Sequence, residues 1–173
     1  VLKDLSFELK SGDFLGITGS NGSGKTTLCL CLSGIIPHYL DGNMSGSILI
    51  NEKDTREISL GSIACEVGII FQDPNLSVMM PTVEDELAFR LENRGIPPAK
   101  IKKKIYEVMD FTGITRLKDE SPFHLSGGEK QLVAIAAVLV TDPEIIIFDE
   151  ALSMLYEFAR DRIIQVIKEM NKM

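Results

Sequence analysis

The pattern of apolar and polar positions changes period several times along the chain, and each change marks an element. Residues 6–10 and 14–18 read as strands around a Ser11-Gly12-Asp13 turn. A Gly-rich loop over 19–24 leads into a helix over 25–34. Residues 47–50 predict a short strand, and 67–71 a buried one rich in β-branched side chains. Residues 83–93 are helical. Pro97-Pro98 opens a further helix, in which Ile101, Ile105, Val108 and Met109 recur at helical spacing. Residues 126–141 predict a helix with Ser126 as N-cap and a Gly-rich first turn. Residues 144–149 form a strongly apolar strand that ends in two carboxylates, and 163–173 an amphipathic helix.

Strands alternating with helices imply an α/β fold, with a mostly parallel sheet flanked by helices on both faces. A small N-terminal antiparallel part precedes it. The helical stretch from Asp73 to Leu125 interrupts the alternation and reads as an inserted α-helical subdomain. The expected organisation is a single domain over 1–173, with a core made of 1–72 and 142–173 and a helical subdomain over 73–141. The opening strand is already under way at Val1, and the last helix lacks a Gly or Pro terminator, so both ends look cut.

Composition narrows the function classes. Of 173 residues, 45% are hydrophobic and 25% charged, which allows a sizeable core and argues against disorder. The net charge of −7 argues against bulk nucleic-acid or anionic-membrane binding. Lys100, Lys102, Lys103 and Lys104 flank the apolar stripe of their helix and read as a solvated face. No apolar run is long enough to span a membrane, and the opening residues do not read as a signal peptide. Cys29, Cys31 and Cys65 lack framework spacing. The first two fall in an apolar run and read as buried thiols, and a reducing compartment fits them. His38 and His124 read as ordinary surface or loop histidines.

Three motifs carry chemistry. Gly19-Ser20-Asn21-Gly22-Ser23-Gly24-Lys25-Thr26 matches G-x-x-x-x-G-K-[ST] after a strand and at the start of a helix. Its glycines let consecutive amides, with the helix N-terminus, converge on phosphate oxygens. Lys25 would supply charge to the β- and γ-phosphates, and the Thr26 hydroxyl would ligate Mg²⁺, a hard cation. Asp149 and Glu150, at the end of their apolar strand, are delivered to the sheet edge where that loop lies. Asp149 is the candidate to hold Mg²⁺, and Glu150 the general base that polarises water. Leu125-Ser126-Gly127-Gly128-Glu129-Lys130-Gln131 places Ser and two Gly at a second helix N-terminus. Gly costs up to about 1 kcal/mol of helix propensity at each such position, so close backbone approach to a ligand is the better reading.

With these motifs the chain resembles, over essentially all its length, the ATP-binding subunits of ABC transporters, which have a P-loop NTPase fold built on a RecA-like core. The resemblance makes 19–26 a Walker A motif, Asp149 and Glu150 a Walker B motif with its catalytic base, and Ser126-Gly127-Gly128-Glu129 the family signature. It adds Thr27 to the nucleotide site, and Gln72, in Phe71-Gln72-Asp73-Pro74, as a Q-loop residue that contacts Mg²⁺. The wording of 71–75, 81–89 and 92–97 is similar to the ATPases of energy-coupling-factor transporters, which import vitamins, cobalt or nickel. The resemblance therefore implies ATP and Mg²⁺ as cofactors, and ATP hydrolysis that energises import of a small solute. It also implies a second ABC ATPase subunit, identical or paralogous, and a transmembrane partner. The chain would sit peripherally on the cytoplasmic face of the membrane, with no nucleic-acid partner.

Some positions depart from the family. Tyr156 stands where the D-loop usually has Asp, and Leu132 where a basic residue is common. The switch histidine and the adenine-stacking aromatic have no counterpart in this sequence. Two other classes stay open: a soluble ABC ATPase outside transport, and a non-catalytic nucleotide-binding module. The 54 positions from Gln72 to Ser126 (126 − 72) are too few for the coiled coil of DNA-repair members. Val78, Met79 and Met80 form an apolar run that is either subdomain core or a surface for the membrane partner.

Overall fold

The structure is a computed structural model that describes residues 2–151 together with 161, 164, 165, 167 and 168. Its elements in order are α1 (Lys25–Leu32), the single turn α2 (Ile35–His38), β1 (Leu49–Ile50), β2 (Lys53–Asp54), α3 (Leu60–Glu66), β3 (Val67–Ile70), α4 (Val83–Asn93), α5 (Pro98–Thr112), α6 (Gly127–Leu139) and β4 (Ile145–Phe148). Short 3₁₀ turns at Pro74–Leu76, Thr115–Leu117 and Pro122–His124 link the helices of the middle region. Ile164, Gln165, Ile167 and Lys168 are helical, as the C-terminal pattern predicts. The rest of 163–173, and Tyr156, lie outside the described residues.

The central pairing is parallel. β3 and β4 run in register from Val67 opposite Ile145 to Ile70 opposite Phe148, and the Asp149 amide extends the ladder to the Ile70 carbonyl at 3.0 Å. Alternation along the strands sends side chains to two faces. Val67 and Ile147 pack with Ile50 and Ile63 on the α3 side, while Ile70, Ile146 and Phe148 pack with Ile135, Val138 and Leu139 of α6 on the other. Gly68 lies so close to α6 that a Cβ there would stand 2.4 Å from a Val138 methyl carbon. Helices on both faces of a parallel pair follow the α/β expectation.

The helical region has a core of its own. The i, i+4 and i+8 stripes of α4 (Val83, Leu87, Leu91) and α5 (Ile101, Ile105, Met109) meet Val133, Ala136, Ala137 and Val140. Each such aliphatic side chain stabilises by roughly 1.5–3 kcal/mol relative to exposure. α5 starts at Pro98 and stops at Gly113, whose left-handed φ of 73° suits a residue without a Cβ. Lys100, Lys102 and Lys103 are exposed beside the stripe, and Lys104 turns onto Asp142. The solvated-face reading of the lysines therefore holds for the first three, with Lys103 in an exposed pair with Glu107 at 3.6 Å, while Lys104 is a less exposed ion-pair partner.

Several expectations need correction. Residues 6–10 and 14–18 belong to no sheet among the described residues. They keep the turn, with the Asp13 amide on the Lys10 carbonyl at 2.9 Å, but Phe7, Phe14 and Ile17 are exposed. A strand is defined by a hydrogen-bonded neighbour, which an alternating pattern cannot supply. The small antiparallel sheet is instead β1 with β2. Its turn, Asn51-Glu52, takes left-handed φ at both positions, 48° and 67°, without the usual Gly. Helix α3 has no counterpart in the sequence reading. It is seven residues long with a single buried side chain, Ile63, so its periodicity is invisible, although Ser59 caps it by accepting the Ser62 amide. β4 is less buried than its composition suggests, with Ile145 exposed and the next three residues half-buried.

The close approach of β3 to α6 predicts a local cost. Gly68→Ala should lower unfolding free energy by about 1–3 kcal/mol through overpacking against Val138 and Pro143, measured by urea denaturation of the purified chain.

Candidate functional site

The Gly-rich loop curls because two of its glycines take left-handed φ, 79° at Gly22 and 101° at Gly24. Gly24 is also the N-cap of α1, and no side chain caps that helix end. No acidic side chain lies in the first turn of α1. The helix therefore presents uncapped amides and the positive end of its dipole at the loop. Gly19 lies against Ser23, where a Cβ would come within 2.7 Å of the hydroxyl. The loop closes on itself through the Ser23 amide and the Ser20 carbonyl at 3.1 Å.

Lys25 folds back across this loop. Its Nζ donates to the carbonyls of Gly19 at 3.1 Å and Ser20 at 3.2 Å, and pairs with Glu150 at 3.1 Å. The Thr26 hydroxyl donates to Asp149 Oδ1 at 3.2 Å. Two adjacent pairs, Lys25-Thr26 and Asp149-Glu150, thus meet across more than a hundred positions of chain, because β4 delivers Asp149 and Glu150 past its carboxyl end. Asp149 is buried, whereas Glu150 is more open. Glu150 takes a left-handed φ of 51°, which turns the chain out of the strand line. Such a backbone in a non-Gly residue is a small strain placed beside the charged cluster.

Cys29, whose apolar run predicts a buried thiol, is only half-buried and lies beside Asp149. Burial first, and the neighbouring Asp149 charge second, push its thiol up to about 11, so the sulfur stays protonated and can donate to the carboxylate. The signal was available: Thr26 and Cys29 stand three apart on one helix and share a face. Cys31 is buried as expected, and Cys65 is exposed.

Gln72 is exposed two residues beyond β3, at the same carboxyl edge. Ser126 behaves as predicted for an N-cap. Its hydroxyl accepts the Glu129 amide at 3.4 Å, and the Glu129 carboxylate accepts the Ser126 amide at 3.1 Å and hydroxyl at 2.7 Å, a reciprocal box. Arg116 also pairs with Glu129. The Ser126 hydrogen bonds, then Arg116, hold the Glu129 carboxyl below its ordinary value. Gly127 is exposed and open, with no atom of the described residues within 4 Å of a Cβ built there, so packing among them does not require its lack of a side chain. The side chains of Ser126 and Glu129 bind each other and Arg116, and among the described residues neither has a hydrogen bond or ion pair to the Gly19–Thr27 loop, whereas Lys25, Thr26, Asp149 and Glu150 are gathered in one place.

No group of three or more His, Cys, Asp or Glu side chains is arranged to hold a metal ion by itself among the described residues. A hard divalent cation would therefore have to be shared between the Thr26–Asp149 oxygen pair and a ligand. That donor set, all oxygen, fits Mg²⁺.

Comparison with known proteins agrees with this geometry. The profile of the ABC transporter family matches residues 2–153. A putative ABC transporter ATP-binding protein of Pyrococcus abyssi is 38% identical over 99% of this chain and 61% of its own length. The energy-coupling factor transporter ATP-binding protein EcfA1 of Lacticaseibacillus paracasei is 41% identical over 98% of the chain and 59% of its own length. The chain thus spans about three fifths of these relatives. Among solved structures, cbiO1 of Clostridium perfringens, described as part of the ABC transporter complex cbiONQ, superposes with a TM-score of 0.83 at 33% identity. That match covers 96% of this chain and 65% of cbiO1. The fold is accordingly the P-loop NTPase fold of ABC ATPases, and the chain belongs to the ABC transporter family.

Proposed function

We propose that this chain is the ATP-binding and ATP-hydrolysing part of a subunit that energises import of a small solute, a vitamin or a transition-metal ion, through a membrane transporter complex. The observation that carries the reading is the meeting of Lys25, Thr26, Asp149 and Glu150 at the carboxyl edge of the parallel pair. A Bacillus subtilis relative named as a putative HMP/thiamine import ATP-binding protein, 39% identical over 99% of this chain, supports the import sense. No helix among the described residues is long and apolar enough to cross a membrane, so association through a separate membrane subunit, at the cytoplasmic face, is the matching arrangement. The organisation proposed with it is a core of 1–72 and 142–173 and a helical subdomain over 73–141, which agrees with the separate hydrophobic cluster of α4, α5 and α6.

The roles proposed for these residues make use of that geometry. The amides of Gly19, Ser20, Asn21, Gly22, Ser23, Gly24, Lys25, Thr26 and Thr27 would hold the phosphates at the open end of α1. Thr26, Asp149 and Gln72 would hold Mg²⁺ on oxygen atoms, and the ion would supply charge neutralisation on the phosphates. Lys25 is already at the loop but is engaged by Glu150 and two carbonyls. Phosphate would compete for its Nζ, and the Glu150 carboxylate would orient water and take its proton. Ser126, Gly127, Gly128 and Glu129 lie apart from this cluster. Their role is to complete the site of a second subunit across a two-fold or pseudo-two-fold dimer. Residues 75–81 would meet the transmembrane partner. Leu76 and Met79 are exposed there, whereas Val78 is buried in the helical core.

In the full-length subunit, Lys25→Ala should abolish tight ATP binding. Glu150→Gln should bind ATP at least as tightly as the parent, because it frees Lys25, while steady-state hydrolysis falls by roughly 10²–10⁴-fold, the usual value of a general base. A Glu150→Gln enzyme that hydrolysed at the parent rate would remove Glu150 from the role.

Replacing Ser126 or Gly128 should weaken ATP-driven dimerisation, followed by analytical ultracentrifugation, with nucleotide binding to the monomer retained. An ATP-loaded dimer with Ser126 facing solvent would refute the cross-dimer site.

A further inference from the structure

Residues 77–81 belong to no helix or strand, and the main chain of 75–81 is held at both ends by side chains. Glu86, one turn into α4 and fully buried, accepts the Met79 amide at 2.8 Å and the Met80 amide at 3.0 Å through Oε2. Arg90, four residues on and so on the same helix face, donates from Nη2 to the Ser77 carbonyl at 2.9 Å and lies 3.7 Å from Glu86 Oε1. At the other end, Asp73 accepts the Asn75 amide at 2.9 Å, and Lys130 donates to Asn75 Oδ1 at 2.8 Å. Gln131 donates to the Phe71 carbonyl at 3.3 Å. Lys130 and Gln131 follow directly on the Ser126-Gly127-Gly128-Glu129 motif.

The pair is a poor device for stability alone. Burial pushes the Arg90 guanidinium below its ordinary value, and only the Glu86 charge opposes this. Glu86 Oε1 and Arg90 Nε have no hydrogen bond. Two apolar residues would fill such a site at no greater cost. What apolar residues cannot do is grip two amides and a carbonyl of the neighbouring loop. That grip fixes Ser77 and Val78 inward and leaves Leu76 and Met79 exposed at 69% and 58%.

We propose that Glu86 and Arg90 are positioning residues that hold 77–80 in the shape presenting Leu76 and Met79 to an apolar helix face of the membrane partner, and that Lys130, through Asn75, ties this platform to the signature helix. The inference rests on the reading that 75–81 docks on that partner. The occupant is argued from the platform itself: a rigid main chain displaying two adaptable apolar side chains suits an amphipathic helix laid across it. Of the polar side chains in 75–81, Ser77 is buried and Asn75 is held by Lys130, so Leu76 and Met79 carry the exposed face.

The test uses the full-length subunit and its membrane partner in detergent. Three quantities are read: subunit–partner affinity, nucleotide affinity of the isolated subunit, and hydrogen exchange at the Met79 and Met80 amides. The double variant Glu86→Leu/Arg90→Leu removes both charges together, so it avoids stranding one of them. It should speed exchange at both amides and weaken the partner by roughly tenfold or more, with nucleotide affinity within about twofold of the parent. Glu86→Gln, whose carbonyl can still accept both amides, should restore most of the partner affinity. A double variant that loosens the amides but binds the partner at parent affinity would overturn the positioning role, as would unchanged exchange. Leu76→Ser/Met79→Ser separates the two readings. It should weaken the partner without speeding exchange. If it binds like the parent, the docking surface itself is misassigned and the proposal falls with it, while the exchange result still reports on the clasp.

Discussion

The parallel pairing of β3 with β4 is the constraint on which the site depends. Parallel neighbours cannot be joined by a tight turn, so all of residues 71–144 must leave one end of the pair and return to the other. That excursion has room for α4, α5 and α6. The register, Ile70 opposite Phe148 with the Asp149 amide on the Ile70 carbonyl, then sets where Asp149 and Glu150 emerge. They emerge against the start of α1, and Thr26 and Lys25 close the arrangement. A shift of one residue would exchange the two faces of β4 and carry the carboxylates out of line with α1.

Helix α6 couples this pair to the rest of the chain. Its Val133, Ala136 and Ala137 belong to the helical core, while Ile135, Val138 and Leu139 belong to the sheet-side cluster. A helix apolar on both sides has no solvated face to slide along, so the two clusters share a rigid element. Arg94 adds a polar tie, donating to the Thr141 carbonyl and the Ala64 carbonyl at 2.7 Å each, from the end of α4 to the ends of α6 and α3. The signature residues at the N-terminus of α6 are thereby placed by the same helix that packs on β3.

The charges at the site are few and mutually engaged. Lys25 pairs with Glu150 and donates to two loop carbonyls, while Asp149 accepts from Thr26 beside them. In partial solvent such a pair is worth little for stability. Its consequence is a charged cluster preassembled next to uncapped helix amides.

Much of this was legible in the sequence for definite reasons. The G-x-x-x-x-G-K-T string needs Gly where φ turns positive, and Gly22 and Gly24 do so. Ser126 with Glu129 three residues later is a local cap, and α4 and α5 are long enough for their 3.6-residue period to show. Strand partners were not legible. Residues 6–10 and 14–18 carry strand-like residues yet pair with nothing among the described residues, whereas β2 follows a turn with no Gly to announce it. Short α3 gives no periodic signal. Nor could the sequence say that Lys25 rests on Glu150, or that Glu86 grips the amides of Met79 and Met80. Local propensity acts within a few residues along the chain and fixes loops, caps and long helices. Ladder partners, ion pairs and the burial of a charge join residues far apart, and only packing of the whole chain selects among the alternatives.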